Sequence, residues 1–376
     1  MLDTFFLGNG LYQTNISVIT SQAGAPVFPN VFASAGSLPL SSVSLQYAAS
    51  NFYSPYTQQG TLAVEREVVR DLGLTVSYIW SRGIGLIAQQ DVNLGAPGPT
   101  VTYSIRDTNG NETGKFTTPT SILANRADSR YSKILKVENG GNSWYNALAV
   151  QVNKRMSHGV SAKLAYTWSH AIDDANMQGA SWNISSTFNN ATYNGNYRYD
   201  KGSSGLDQCH RAVLNWLWEP TFTSNTSTLA RYFVNGWGLS GIFTVASAQP
   251  VTPTSNVSGT TQFPGIVLAN TTLNGSGGWI RAPFLPVGSI NVDRIHRLDA
   301  RLSRELPIKE GMKASLMFEA FNLFNMQYNT AVNTQAYTAL NGVMTPTPGL
   351  GLGTQSQGFP DGTNARRCQV ALRFSF

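Results

Sequence analysis

The residues with the greatest chemical potential in this sequence lie between positions 169 and 174. Ser169, His170, Asp173 and Asp174 are the residue types that supply a nucleophile, a base and an orienting acid, or that bind a metal ion. Their spacing matches no established metal-binding or catalytic pattern. We therefore interpret them as the top of a strand that runs into a loop, and we predict no catalytic residue, no metal site and no cofactor.

Other polar residues have similarly weak signals. Asp207, His210 and Arg211 lie close together in sequence, and we interpret them as polar contacts at the junction between a loop and a strand. Asp200 and Asp361 lie in predicted loops, where carboxylates can bind Ca²⁺, but the D-x-D-x-D-G spacing of a calcium loop is missing from the sequence.

The two cysteines, Cys209 and Cys368, have no metal-binding spacing. Each begins a predicted strand, and four strand steps of about 4.8 Å would separate them by about 19 Å. A disulfide requires Cα atoms within about 7 Å of each other. We therefore predict that these two cysteines form no disulfide.

The last eleven residues indicate which kind of element positions these side chains. Cys368, Val370, Leu372, Phe374 and Phe376 alternate there with mostly polar residues. A period of two predicts a strand with one apolar and one polar face. Tilted strands of about 9–11 residues cross a bilayer in a barrel, so this segment is predicted to be a transmembrane strand.

The same alternation recurs along the chain. It predicts strands at 58–68, 74–82, 143–155, 160–169, 211–218, 237–245, 297–303, 313–320 and 366–376. The apolar parity of these segments also carries the aromatic residues that we expect to face lipid or to form interfacial girdles. These residues are Tyr78, Trp80, Tyr166, Trp168, Trp216, Trp218, Trp237, Phe318, Phe374 and Phe376.

Charged side chains distinguish a membrane wall from a soluble sheet. We assign the charged residues of the polar parity to the barrel lumen: Lys163, Arg297, Asp299, Arg301, Lys313, Glu319 and Arg373. A Lys or Arg that faces lipid at mid-bilayer costs about 2–4 kcal/mol, and the mid-strand positions of the apolar parity are predicted to carry none. Arg66 and Lys154 break the pattern, but both lie beside turns, where a long side chain can reach the interface.

The composition agrees with a membrane wall. Charged residues make up 12% and hydrophobic residues 41% of the 376 residues, with a mean hydropathy of −0.15. No apolar run is long enough for a transmembrane helix. Residues 1–10 lack the features of a secretory signal, so we expect a fragment, a processed chain or an incorrect start site. The net charge is +6, but the Lys and Arg residues are scattered along the chain and do not cluster, which argues against a nucleic-acid partner.

The connections between predicted strands differ in length. Short connections cover 69–73, 156–159 and 307–311, a medium one covers 220–233, and long ones cover roughly 83–142, 173–208, 248–293 and 323–365. Outer-membrane barrels have short periplasmic turns and long extracellular loops. The long connections are therefore predicted to be extracellular, and the carboxyl end is predicted to be periplasmic.

Loops of this length are usually functional or disordered. Their aromatic side chains could stack on a sugar or peptide ligand, or could pack within the loops. The candidates are Trp182, Tyr193, Tyr197 and Tyr199.

A series of short strings follows in order along the chain. It includes N-G-L-Y-Q-T at 9–14, P-V-F-P-N at 26–30, Y-T-Q-Q-G-T-L-A-V-E-R-E at 56–67, S-Y-I-W-S-R-G at 77–83, W-Y-N-A-L-A-V-Q-V-N-K-R at 144–155, A-Y-T-W-S-H-A-I-D-D at 165–174, H-R-A-V-L-N-W at 210–216, N-G-W-G-L-S-G-I-F at 235–243 and F-E-A-F-N-L-F-N at 318–325. With the terminal Phe376, this ordered set resembles the barrel of TonB-dependent receptors, most closely the Oar-like group.

The resemblance implies an outer-membrane β-barrel of 22 strands that surrounds a plug. Residues 1–376 supply about 9–11 antiparallel strands, so they correspond to the carboxyl-terminal segment of such a barrel, without the plug or the regulatory-like domain. The expected partners are outer-membrane lipid and the barrel assembly machinery, which would bind the last strand. A plug domain and TonB are implied by the resemblance alone, and the ligand is unknown.

Two functions remain open at this point. One is energy-coupled uptake across the outer membrane of a Gram-negative-type bacterium, with the extracellular loops capturing a ligand. The other is a passive porin or adhesin-type barrel. A soluble all-β protein would need a second sheet against the apolar parity, and an enzyme has the least support.

Overall fold

The computed structural model describes residues 15–16, 43–174, 189–223, 230–309, 311–356 and 365–376. Within these residues the chain forms 22 strands and three short helical turns. No helix in this part of the chain is long and apolar enough to cross a bilayer. The predicted candidates Trp182 and Asp361 lie outside the described residues.

The strands are named in chain order. They are β1 (Asn15–Ile16), β2 (Val43–Ala48), β3 (Tyr56–Val69), β4 (Leu72–Asp91), β5 (Thr100–Arg106), β6 (Glu112–Pro119), β7 (Lys133–Ser157), β8 (Val160–Asp173), β9 (Asn189–Asn190), β10 (Gly202–Ser203), β11 (His210–Trp218), β12 (Trp237–Ala246), β13 (Pro250–Val251), β14 (Thr254–Val257), β15 (Ile290–Asn291), β16 (Ile295–Lys309), β17 (Met312–Phe321), β18 (Asn329–Val332), β19 (Gln335–Leu340), β20 (Val343–Pro346), β21 (Gly353–Ser356) and β22 (Arg367–Ser375). The helical turns are Leu123–Asn125, Tyr197–Asp200 and Ala230–Val234.

Nine long strands form one continuous antiparallel sheet, which we call the wall. Their order in the sheet is β3-β4-β7-β8-β11-β12-β16-β17-β22. Every wall strand overlaps a strand predicted from alternation, so the all-β antiparallel fold prediction is confirmed. The strands lie in the wall in their order along the chain, and the pairs β3–β4, β7–β8 and β16–β17 are joined by short turns, as tight antiparallel hairpins are.

The short turns have the backbone geometry that tight hairpins require. His158 and Gly159 form the two-residue turn between β7 and β8, with φ values of 52° and 74°. Positive φ at both central residues is the requirement of a type I′ turn, whose twist matches that of the flanking strands. Glycine adopts this conformation without steric cost, which explains its presence at the second position.

Several wall strands are longer than the sequence predicts, and the largest extensions are those of β4 and β7. β4 continues to Asp91 and pairs with the early part of β7, where Asp91 lies opposite Leu135. The sequence-based prediction ends β4 at residue 82, because the regular alternation stops there. The extension is covered by other segments, with Ala88 and Gln89 at 0% and 5% exposure. Burial by protein on both sides removes the selection for alternating polarity.

The long connections fold together instead of forming separate loops. They build a second, five-stranded sheet in the order β14-β19-β20-β5-β6, and we call this sheet and the segments packed on it the cap. Its core contains Val101, Tyr103, Phe116, Leu273 and Met344, all buried. Tyr103 Oη donates a hydrogen bond to the Leu273 carbonyl at 2.8 Å, which joins two connections 170 residues apart. The long connections are therefore ordered by their own hydrophobic core.

Candidate functional site: the two faces of the wall and the cap

The first face of the wall, here the apolar face, is formed by large nonpolar side chains that remain exposed. Leu62, Trp168 and Val370 have 73%, 57% and 68% of their surface exposed. Cross-strand pairs such as Leu302 with Phe318, and Phe318 with Val370, keep these side chains on one side across neighbouring strands. A continuous exposed apolar surface of this extent marks contact with a membrane or with another protein.

The predicted aromatic residues lie on the apolar face in two bands. An upper band, towards the long connections, contains Tyr78, Trp80, Tyr166 and Trp168. A lower band, towards the short turns, contains Trp216, Trp218, Trp237 and Phe374, with Phe376 following β22, while Phe318 lies between the bands.

The spacing of the bands can be measured along β8. Trp218 pairs with Val160, and eight residues separate Val160 from Trp168 on the same strand. Eight steps correspond to about 26 Å along the strand, or about 20 Å across the sheet for a strand tilt of about 40°. This height is similar to the lipid-facing band of an outer-membrane barrel.

Arg304 is an exception that the sequence reasoning missed. It lies on the apolar face within β16, between Trp237 on β12 and Leu316 on β17. The predicted strand ends at residue 303, but β16 continues to Lys309, so Arg304 is a mid-strand position. The prediction that mid-strand positions of the apolar parity carry no charge is therefore wrong for this strand. Arg304 is 8% exposed, and its guanidinium lies 5.0 Å from the Trp237 ring centroid. The cation–π contact in the lower aromatic band reduces the cost of this charge.

The second face, here the polar face, carries the predicted lumen residues. Arg297 Nε donates to Asp299 Oδ1 at 2.8 Å, and Arg297 is only 3% exposed. On the next strand Glu319 accepts hydrogen bonds from Arg301 and from Gln369 of β22. These pairs cross three neighbouring strands, so opposite charges neutralise one another along this part of the face.

The remaining lumen candidates are spread across the polar face. Lys313 Nζ lies 2.6 Å from Glu305 Oε1. Lys163 pairs with Asn153 and Asn215 on the adjacent strands, and Arg373 pairs with Ser315. The structure thus brings Arg297, Asp299, Arg301 and Glu319 into one cluster and leaves Lys163, Lys313 and Arg373 outside it.

A shallow groove of about 380 Å³ borders this charged cluster. Asn215, Ser240 and Ile242 line its uncharged side, and Asp299, Arg301 and Glu319 line the other. The groove is wide enough for water and small polar solutes, and its paired charges can exchange hydrogen bonds with them.

The chemistry-bearing residues near position 170 assemble differently from the order of the sequence. His170 Nδ1 lies 2.8 Å from Asp207 Oδ2, and Cys209 Sγ donates to the same oxygen at 3.3 Å. The other Asp207 oxygen accepts the backbone N–H of Ala171 at 2.8 Å. Ser169 Oγ instead donates to the Gln208 carbonyl, so no serine–histidine pair forms.

These three ligand-type side chains lie within 4.8 Å of one another. Imidazole, thiolate and carboxylate are transition-metal ligands, but both oxygens of Asp207 already accept hydrogen bonds from protein donors. We interpret the cluster as a set of structural hydrogen bonds that links β8 to the segment before β11. The sequence reasoning missed it because it compared His170 only with acids that are adjacent in sequence.

Asp207 should control the reactivity of Cys209. Burial raises the pKa of the Cys209 thiol, and the hydrogen bond to the Asp207 carboxylate raises it further. In a Cys368→Ser background, we expect Asp207→Asn to increase the rate of maleimide labelling of Cys209 severalfold at mildly alkaline pH, measured by peptide mass spectrometry. Asp174→Asn is the matched control. An unchanged rate in Asp207→Asn would contradict this assignment.

Cys368 is well separated from Cys209. Both cysteines are free, and the wall order β11-β12-β16-β17-β22 separates their strands by four steps, the number used in the sequence-based estimate.

The loop aromatic residues have different environments. Tyr197 is buried, and its hydroxyl donates to the Gln89 carbonyl at 3.0 Å. Tyr193 and Tyr199 form an edge-to-face pair with ring centroids 4.5 Å apart. Tyr199 is 38% exposed and borders an open cleft of about 780 Å³ beside His170. Of the described candidates, Tyr199 is therefore the best placed to touch a solute.

A buried ion pair holds the cap onto the segment of these tyrosines. Arg281 Nε donates to Asp200 Oδ1 at 2.7 Å, with side-chain exposures of 5% and 2%. Asp200 also accepts the backbone N–H of Thr192 at 2.6 Å. Because both of its oxygens accept hydrogen bonds from protein donors, Asp200 serves the structure of this region and is not positioned as a Ca²⁺ ligand.

Comparisons with known proteins add a family match. A family model described as an outer membrane beta barrel domain matches residues 6–369. A similar solved structure is the outer membrane transporter YddB from Escherichia coli, with 9% identity, a TM-score of 0.45, and coverage of 89% of this chain and 34% of that chain. Another is the ferripyoverdine receptor of the Pseudomonas aeruginosa outer membrane bound to ferripyoverdine, with 9% identity, a TM-score of 0.41, and coverage of 86% and 27%. The chain spans about a third or less of the length of these structures. The search of curated proteins found no match.

Proposed function

Because this chain belongs to the outer membrane beta barrel domain family of bacterial outer membranes, we propose that it is part of the barrel of a TonB-dependent receptor. Residues 1–376 would form the carboxyl-terminal segment of that barrel. The proposal of TonB coupling depends on the ordered sequence strings, which resemble those of the Oar-like group.

The division of side chains between the two faces is the observation that carries the proposal. The apolar face would contact hydrocarbon between its two aromatic bands, since it is broad, exposed and almost free of charge. The polar face would line the lumen, where the Arg301–Glu319 pair and its neighbours can remain hydrated. The short turns would be periplasmic, so that the cap would lie on the extracellular side.

The cap would be the part that captures a ligand. Its hydrophobic core makes it rigid enough to present a defined surface. A plug, supplied by a partner segment or domain, would occupy the lumen and would be moved by TonB. The last strand, β22, would be the segment that the barrel assembly machinery binds.

A passive porin or adhesin-type barrel is the second candidate. The open groove beside the charged cluster favours it, because paired charges that line a water-filled channel are typical of porins. We propose no catalytic role for either candidate.

Energy dependence separates the two functions. In a Gram-negative host that carries or lacks the gene, uptake would be measured for a panel of labelled solutes: a ferric siderophore, an oligosaccharide and an oligopeptide. We expect one of them to accumulate only when the gene is present, and accumulation to stop after a protonophore or deletion of tonB. Gene-dependent uptake that persists after both treatments would favour the passive barrel and contradict TonB coupling.

A further inference from the structure

The apolar face becomes polar and positively charged just above its upper aromatic band. Arg82 lies two residues beyond Trp80 on β4, on the same face and about 7 Å further along the strand. It pairs with Trp144 of β7, which in turn pairs with Ile172 of β8. Tyr78 Oη donates to Asn146, the cross-strand partner of Trp80, so the band ends in polar groups. If the proposed function holds, this level coincides with the headgroup region of the outer leaflet.

A pit of about 340 Å³ opens at this level. Arg82, Arg198 and Lys201 line it together with Trp144 and the carboxyl group of Asp174. Lys201 Nζ lies 4.1 Å from the Trp144 ring centroid, so the indole holds this ammonium at the rim. Arg198 and Lys201 come from the helical turn Tyr197–Asp200 and the residue after it. The Tyr197 hydroxyl holds this turn against the wall through hydrogen bonds to Gln89 of β4 and Glu138 of β7.

The three cations are not neutralised by ion pairs. Arg82, Arg198 and Lys201 are exposed, and none of them forms an ion pair within the described residues. Asp174 is the one carboxylate lining the pit among these residues, and burial raises its pKa above the ordinary value. The pit therefore carries excess positive charge at neutral pH, a net charge that favours an anion with several oxygens.

We infer that this pit binds the phosphate groups of the glycolipid in the outer leaflet. The inference rests on the proposed function, because it requires the apolar face to contact lipid. Three observations select a lipid phosphate over a free anion. The pit lies on the same face as the exposed apolar surface, it starts directly above the upper aromatic band, and Lys201 also borders the 780 Å³ cleft, lined by the apolar segment 283–287. A lipid can occupy both at once, with phosphate in the pit and its sugar ring against the cleft.

The test measures binding of lipid A to the full chain in a nonionic detergent by native mass spectrometry. The test variant is Arg82→Gln, Arg198→Gln and Lys201→Gln together. Each cation near an anionic lipid surface contributes about a fivefold gain in affinity, so we expect the triple variant to bind bisphosphorylated lipid A about 100-fold more weakly. Phosphate-free lipid A should bind wild type and variant equally and weakly.

A matched control removes the same charge from the other end of the wall. Arg70→Gln, Arg155→Gln and Lys309→Gln replace three exposed cations beside the short turns, and this control should bind lipid A as wild type does. Unchanged binding by the test variant, or an equal loss in the control, would overturn the inference. Displacement of lipid A by millimolar inorganic phosphate would show a free-anion site and would also overturn it.

Flotation with neutral phosphatidylcholine vesicles separates this inference from the proposed function. Wild type and both triple variants should float, because insertion depends on the apolar face and not on the pit. Flotation without lipid A binding would reject the pit alone. Failure of wild type to float would reject the transmembrane wall and, with it, the lipid assignment. Circular dichroism of each variant verifies that the sheet is intact.

Discussion

A chain that carries both Val150→Arg and Leu164→Arg is expected not to assemble in a membrane. The two residues lie on the apolar face of neighbouring strands, where Val150 pairs with Tyr166 and Leu164 pairs with Val152. Leu164 is also halfway between Val160 and Trp168, the levels of the two aromatic bands. An arginine that faces mid-bilayer lipid costs about 2–4 kcal/mol, so two of them cost about 4–8 kcal/mol. This is comparable to the total stability of many domains.

Assembly would be measured by heat-modifiable migration on gels and by resistance of the membrane fraction to urea extraction. The control variant, Gln151→Arg with Lys163→Glu, changes the adjacent positions on the polar face. It should assemble as wild type does, because those side chains would face water. Equal tolerance of both variants, or equal loss in both, would contradict the assignment of the apolar face to lipid.

Removal of one partner of the Arg281–Asp200 pair is expected to unfold the cap locally. Asp200→Asn leaves the Arg281 guanidinium buried without a counter-charge, which costs about 3–5 kcal/mol. The remaining hydrogen-bond acceptors of the Arg281 guanidinium among the described residues are the carbonyls of Tyr199 and Leu285, at 3.2 and 3.3 Å. These neutral acceptors cannot replace a carboxylate.

Hydrogen exchange would locate the effect of this substitution. We expect exchange to accelerate around the 281–287 and 189–200 segments, while the wall strands remain protected. The surface pair Arg130–Asp128, with Arg130 68% exposed, provides the control. Asp128→Asn should change exchange very little, since exposed pairs are screened by solvent. A second variant, Asp200→Leu with Arg281→Met, should recover part of the protection because no buried charge remains unpaired. Equal exchange rates in wild type and Asp200→Asn would refute the role of this pair.

Local alternation was sufficient to predict the existence of the wall strands and the faces of their alternating parts, although not their full lengths. A strand places every second side chain on one side. The sequence of β8 or β22 alone therefore predicts which of its side chains lie on the apolar face and which lie on the polar face. The same holds for connection length, since tight antiparallel hairpins need only a few residues with special φ angles. The assignment of Arg297, Asp299, Arg301 and Glu319 to one face followed from parity alone.

Contacts between distant segments could not be predicted in this way. Tyr103 meets Leu273 in the cap core, and Arg281 meets Asp200, across separations of 170 and 81 residues. These connections have no regular period, because their apolar residues face a core built from several loops. The pairing of His170 with Asp207 was missed for the same reason.

The sequence by itself determined the nine-stranded wall, its two faces and the order of its strands, because each depends on a period of two and on turn length. Only the tertiary structure decided that the long connections form one cap, that Arg304 stacks on Trp237 within the apolar face, and that Arg82, Arg198 and Lys201 surround one pit. These features depend on which segments fold against one another in space. Packing and charge interactions between residues far apart in the chain determine which segments meet, and local sequence patterns do not predict these interactions.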